Sequence, residues 1–176
     1  MIKMIFVTLI LTSFMAPCTA LPPFQVLRTC MDLEPYDNKS TITEIDGDGY
    51  ADKSMEGCQE QYDREINGHI YGTIMCNQKF YFIINDKKID PALADNRSIN
   101  PEIKPGVEFT TRSLWYKIAY ENKEYICIYA PLGEQGTGAS RVQYYIIENA
   151  FDKKLMPQLT FYFFDKNIVP ITSKTL

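Results

Sequence analysis

Leu114-Trp115-Tyr116-Lys117-Ile118-Ala119-Tyr120-Glu121-Asn122-Lys123-Glu124-Tyr125-Ile126-Cys127-Ile128-Tyr129-Ala130 decides the fold class. Leu114, Tyr116, Ile118 and Tyr120 fall on one face of an extended chain, with Trp115 and Lys117 on the other. A period of two is the signature of a strand. Glu121-Asn122-Lys123 is a polar turn, and Glu124–Ala130 returns as a second strand rich in Ile and Tyr. Two such runs around a short polar turn make a hairpin.

The same texture extends outward. Val107–Tyr120 is expected to be extended throughout, and Arg141–Glu148, Leu159–Phe164 and Ile168–Ile171 follow as strands. Upstream, Phe24–Leu33, Ser40–Ile45, Ile70–Met75 and Lys79–Ile84 read the same way, and Lys53–Cys58 leads out of a glycine loop at Asp46–Asp52. Phe80-Tyr81-Phe82-Ile83-Ile84 is apolar on both faces, as in a strand covered on both sides. Short helical pieces are expected at Pro91–Asn96 and Asn149–Met156. About nine short strands with little helix predict an all-β domain, an antiparallel sandwich or barrel-like sheet. The 12 Tyr and 10 Phe suit half-buried pleated surfaces.

The chain has 176 residues, 18 Lys and Arg against 22 Asp and Glu, and a net charge of −4. That size fits a single domain over residues 21–176. The acidic balance argues against a nucleic-acid partner recruited by overall charge. Met1–Ala20 has the three parts of a secretory signal: a lysine at position 3, an apolar run, and small residues ending at Ala20. Cleavage after Ala20 predicts a secreted or periplasmic chain, and no later run is long and apolar enough for a helical membrane span.

Export gives the cysteines meaning. Cys30, Cys58, Cys76 and Cys127 remain after cleavage, an even number in an oxidising compartment, and their spacings match no zinc pattern. Four cysteines allow three pairings. Nearest-neighbour pairing, Cys30–Cys58 and Cys76–Cys127, is the expectation, because the first bridge brackets an acidic loop and the second joins two strand-like runs.

That acidic loop is Glu44-Ile45-Asp46-Gly47-Asp48-Gly49-Tyr50-Ala51-Asp52. Calcium takes six to eight oxygens. Glu44, Asp46, Asp48 and Asp52 offer carboxylates at alternate positions, the Tyr50 carbonyl adds another oxygen, and two glycines let the backbone turn. Without a cation these charges repel. The stretch resembles the calcium loops of FG-GAP and VCBS-type repeats, in which Asp-x-Asp-x-Asp-Gly-x-x-Asp joins two strands. Glu44 stands at the first Asp position, while Asp46, Asp48, Gly49 and Asp52 match. The resemblance covers nine residues and implies a structural calcium. It implies no activity and, with one copy, no propeller. Counting Asp46 as position one, position twelve, where an EF-hand would have its bidentate glutamate, is Gly57.

Other signals are weaker. His69 is the single histidine and sits at an Asn67-Gly68 turn, with neither Ser54 nor Ser113 marked as a nucleophile beside it. Gly133–Arg141 is glycine-rich but lacks the Gly-Lys-Ser/Thr ending of a phosphate loop. Asn38 and Asn96 head glycosylation-type triplets. Glu108, Glu124 and Glu148, in or beside strands, read as rim residues, and no pair among the 22 acids stands out as that of a hydrolase.

The reading that fits is an exported, non-enzymatic, disulfide-stapled binding protein with a protein partner. A periplasmic immunity protein that neutralises a toxin or enzyme has this profile. A small-ligand carrier and a carboxylate-dependent hydrolase are the alternatives. The longest irregular segments, Asn85–Pro105 and Gly133–Arg141, carry Arg97 and Arg141, the expected partner-binding cations.

Overall fold

The computed structural model of the chain describes residues 21–47, 49–50, 55–106, 113–133 and 135–168. Along it run α1 (Phe24–Asp32), β1 (Ser40–Glu44), β2 (Gly49–Tyr50), β3 (Cys58–Ile66), β4 (His69–Cys76), β5 (Lys79–Ile84) and β6 (Lys87–Ile89). Then follow β7 (Asp95–Asn96), β8 (Leu114–Tyr120), β9 (Lys123–Pro131), β10 (Val142–Glu148) and β11 (Gln158–Phe163). The expected signal segment Met1–Ala20 lies outside the described residues, as do the first part of the expected Val107–Tyr120 strand and Val169–Ile171 of the last one. Ile168 is not in a strand.

Tight turns set the topology. Asn67–Gly68, Asn77–Gln78 and Asn85–Asp86 each have positive φ at both positions. This mirror-image turn matches the right-handed twist of the strands it joins, and Asn and Gly adopt it with the least strain. The three turns fold β3, β4, β5 and β6 into an antiparallel meander, with β2 added beyond β3. Glu121, also at positive φ, opens the β8–β9 turn. Strands β1, β8, β9, β10 and β11 form the second antiparallel sheet, and β7 adds a short parallel pairing on the outside of β11.

The two sheets face each other as a sandwich, the all-β antiparallel architecture expected. Their shared core is aromatic. Trp115, Phe82, Tyr145 and Phe161 are all buried, and successive ring centroids lie 5.7, 5.1 and 5.0 Å apart. Removing a ring of this kind costs about 3–5 kcal/mol. The alternation along β8 is as the sequence indicates, but both faces are covered. Trp115 faces the other sheet, while Tyr116, Ile118 and Tyr120 pack with α1. One close approach requires a glycine: a Cβ on Gly72 would lie 1.9 Å from the Tyr62 carbonyl oxygen, beside the register shift in β3.

Phe24–Leu33, expected as a strand, is the helix α1. Val26, Thr29 and Cys30 are its buried residues, a three-and-four spacing that belongs to one helix face. Arg28 and Asp32 pair one turn apart at 2.7 Å, and Leu33 in the left-handed region ends the helix. This overturns the expected cysteine pairing. Cys30 points into the helix–sheet layer, where Cys127 of β9 also points, and the two are bonded. Cys58 and Cys76 are direct cross-strand partners at one end of β3 and β4, and they form the second bridge. Cys76 belongs to a small apolar cluster of the meander with Ile74 and Ile83, separate from the layer that holds Cys127.

Asn149–Met156 is turns rather than the expected helix. Asn149 takes positive φ, and Ala150 alone of the segment is fully buried. Pro91–Leu93 is a single 3-10 turn that leads into β7, and a second, Gly136–Ser140, lies within the glycine-rich loop. Strand β3 was not expected beyond Cys58, since its sequence is largely polar.

Candidate functional site

The acidic loop joins the two sheets, running from the end of β1 to β2. Ile45 donates its N–H to the Trp115 carbonyl at 2.7 Å and so prolongs the β1–β8 ladder by one residue. Its own carbonyl accepts from Nε of Arg64 at 3.1 Å. Arg64 comes from β3, extends Nη2 to the Ser113 carbonyl at 3.4 Å, and lies 5.2 Å from the Trp115 ring centroid. The absent side chain of Gly47 makes room for it, since a Cβ there would stand 3.1 Å from three Arg64 atoms. Burial lowers the Arg64 pKa, while the charges of Glu44 and Asp63 act to raise it. The described stretch Ile45–Gly47 thus packs around a guanidinium.

Of the expected calcium ligands, Glu44 and Asp46 are exposed on either side of Ile45, and Tyr50 pairs with Tyr62 in β2. Asp48 and Asp52 lie outside the described residues. Among the described residues no three His, Cys, Asp or Glu side chains are grouped to hold a metal. Sequence reasoning missed Arg64. Its signal was the alternation of Tyr62, Arg64 and Ile66, which puts a cation on the inward face of a strand.

The two irregular segments converge at the open end of β10 and β11. Beyond β7, Arg97 and Ile99 donate their N–H groups to the Phe161 and Phe163 carbonyls at 2.8 and 3.0 Å, so this segment runs along the outer side of β11. The glycine-rich loop closes where Leu132 N–H reaches the Arg141 carbonyl at 2.8 Å. Between them lies an open groove of about 650 Å³, lined by Met31 of α1, Ile99, Arg141, Tyr144, Phe164 and Asp165 among others. Tyr144 packs edge-on against Tyr129, with centroids 5.5 Å apart, and burial raises the Tyr144 pKa, helped by Tyr129 and Asp32.

Arg141 therefore stands in the groove, with Nε 3.2 Å from Asp165 and half of its side chain exposed. Arg97 is two residues from Ile99 and is clamped by Asp95, whose Oδ2 lies 2.9 Å from Nε and 2.7 Å from Nη2. A second cleft of about 450 Å³ opens beside Leu93 and Met156, whose exposures of 81% and 66% single them out among the apolar side chains.

The remaining candidates are engaged locally. His69 Nδ1 is 2.8 Å from Asp86 Oδ2, and Asp86 Oδ1 accepts the Ile70 N–H at 2.8 Å. The four described cysteines are oxidised, Ser113 accepts from the Trp115 indole at 3.1 Å, and Ser54 lies outside the described residues. Glu124 pairs with Lys117 at 2.5 Å and Glu148 lies 4.0 Å from Lys123, while Glu108 is outside the described residues. Asn38 is exposed, whereas the Asn96 amide donates to the Ile103 carbonyl at 3.3 Å and accepts the Ser98 N–H. Compared with known proteins, the chain matches no family model, no curated protein and no solved structure.

Proposed function

We propose that the chain is an exported, non-enzymatic binding protein whose partner is another protein, and that it acts by neutralising that partner as an immunity protein does a toxin. The observation that carries this reading is the convergence of the two long irregular segments on one groove. Its floor is aromatic and its rim holds Arg141, and aromatic and arginine anchors of this kind dominate protein interfaces. The buried, ring-to-ring aromatic core favours a surface binder over a carrier. Two disulfides fit an oxidising extracellular compartment, and no helix among the described residues is long and apolar enough to cross a membrane.

A structural calcium at Glu44, Asp46, Asp48, Asp52 and the Tyr50 carbonyl belongs to the same proposal. The exposed Glu44 and Asp46 carboxylates support it. Arg64 favours a second reading, in which the loop is neutralised from within the chain.

The test is capture of the partner by the purified chain and by an Ile99→Asp/Arg141→Glu variant. Both residues are exposed, and Arg141→Glu breaks one surface ion pair, to Asp165, so the expected result is loss of the captured protein with only a small drop in the melting midpoint. Equal capture by both proteins moves the interface off the groove. Turnover of an ester or glycan by the purified chain overturns the binding reading.

A further inference from the structure

The side of the sandwich edged by β6 and β7 gathers exposed aliphatic side chains and lysines. Leu93 ends the 3-10 turn between the two strands, and Leu155 and Met156 stand in the connection before β11. All three are exposed. Leu93 and Met156 line one cleft with Lys88. Lys153 lies close enough to Asp86 to act on its carboxyl. The segment from Lys153 to Met156 therefore runs beside β6, whose residues are Lys87, Lys88 and Ile89.

Charge is unevenly spread over the molecule. Lys39, Lys79, Lys117 and Lys123 each face a carboxylate. Lys87, Lys88, Lys153 and Lys154 are exposed, and none of them has an ion pair among the described residues. The acids of this side are held locally. Asp86 is bonded to His69 and the Ile70 N–H, Asp90 to Lys79, Asp95 to Arg97, and Asp152 to the Lys154 N–H. Lys79, Lys87, Lys88, Lys153, Lys154 and Arg97 outnumber those four acids, in a chain whose net charge is −4. Basic charge thus surrounds protruding aliphatic side chains on one side of an acidic protein.

We infer that this side docks on a bilayer surface rich in anionic lipid. Leu93, Leu155 and Met156 enter the boundary between headgroups and acyl chains, and the four lysines meet headgroup phosphates. Two features favour a bilayer over a protein at this place. The cations without an ion pair are all lysine, which protein interfaces deplete in favour of arginine. The most exposed apolar side chains are aliphatic, where a protein interface would be anchored by aromatic rings. Lysines around exposed aliphatic side chains are what an interfacial membrane contact needs, because apolar burial and attraction to anionic lipid act together. Lysine stems lie along apolar surface while their charged ends stay at headgroup level.

The test is co-sedimentation of the purified chain with phosphatidylcholine vesicles, with and without phosphatidylglycerol. The expected result is binding to the anionic vesicles alone, weakened by salt. A Leu93→Ser/Met156→Ser variant should lose that binding with an unchanged melting curve, since both side chains are exposed. A Lys87→Glu/Lys154→Glu variant should bind about thirtyfold more weakly, or worse. Leu93→Trp reads the contact directly: its emission should shift to the blue with anionic vesicles and be quenched by brominated acyl chains, while Trp115 is buried and unaffected. A wild-type chain that leaves anionic vesicles unbound overturns the inference, and a protein captured at Lys87 by such a chain gives this side to a protein instead. Binding kept in full by both double variants also overturns it, by placing the lipid contact elsewhere.

Discussion

Arg64 shows how one residue can decide what a loop is. Its guanidinium satisfies the Ile45 and Ser113 carbonyls and covers the Trp115 ring. Arg64→Met keeps the stem and removes those interactions, and is expected to cost about 1–3 kcal/mol. Thermal unfolding with calcium and with chelator then separates the two readings of the acidic loop. If calcium binds, the wild-type midpoint rises with calcium, by an amount set by excess over the dissociation constant, and Asp46→Asn abolishes the rise. Superimposable wild-type curves favour the reading in which Arg64 neutralises the loop. Asp86 gives a pH prediction. Burial acts to raise its carboxyl pKa, but the Ile70 N–H, the hydrogen bond and charge of His69, and Lys153 outweigh it and hold the value below the ordinary one. A depressed carboxylate contributes stability above its unfolded value that is lost as pH falls through the folded one. The stability difference between wild type and Asp86→Asn should therefore shrink as pH falls below about 5, past the ordinary aspartate value of about 4 and on through the lower folded one, and a constant difference would show that the pairing contributes nothing.

At the scale of elements, the two bridges should differ in weight. A disulfide stabilises more when it closes a longer loop. Cys30 and Cys127 are 97 residues apart and tie α1 to the middle of a sheet, whereas Cys58 and Cys76 are 18 apart and staple a hairpin end. Chain-entropy reasoning gives about 4–5 kcal/mol for the first and about 3 kcal/mol for the second. Denaturant unfolding of the two double-serine variants should rank them in that order, and the reverse ranking would place more constraint in the hairpin. Strands were legible wherever apolar alternation met a turn pair, as at β8–β9 and β4–β5. Helix α1 was not, because Phe, Val and Thr give strand-like composition and its helical period spans only nine residues. Strand β3 was hidden by its polar residues, although Arg64 is inward. The cysteine pairing depended on both misread elements, so spacing alone could not supply it. The groove was half legible: both loops and Arg141 were visible in the sequence, but Met31, Tyr144 and Phe164 join them only through tertiary packing.

At the scale of the whole molecule, the layers assign different tasks to different faces. The aromatic layer between the sheets and the α1 layer bonded through Cys30–Cys127 make a rigid frame. The groove opens on the α1 side of that frame, and the short lysine-bearing strand β6 lies at the edge of the other sheet. The most direct measurement is site-specific photo-crosslinking, with the probe placed in turn at Ile99 in the groove and at Lys87 on β6. The account predicts a covalent adduct with one protein partner from position 99, lost in the Arg141→Glu background, and none from position 87. The same partner crosslinked from position 87 and not from position 99 would contradict it.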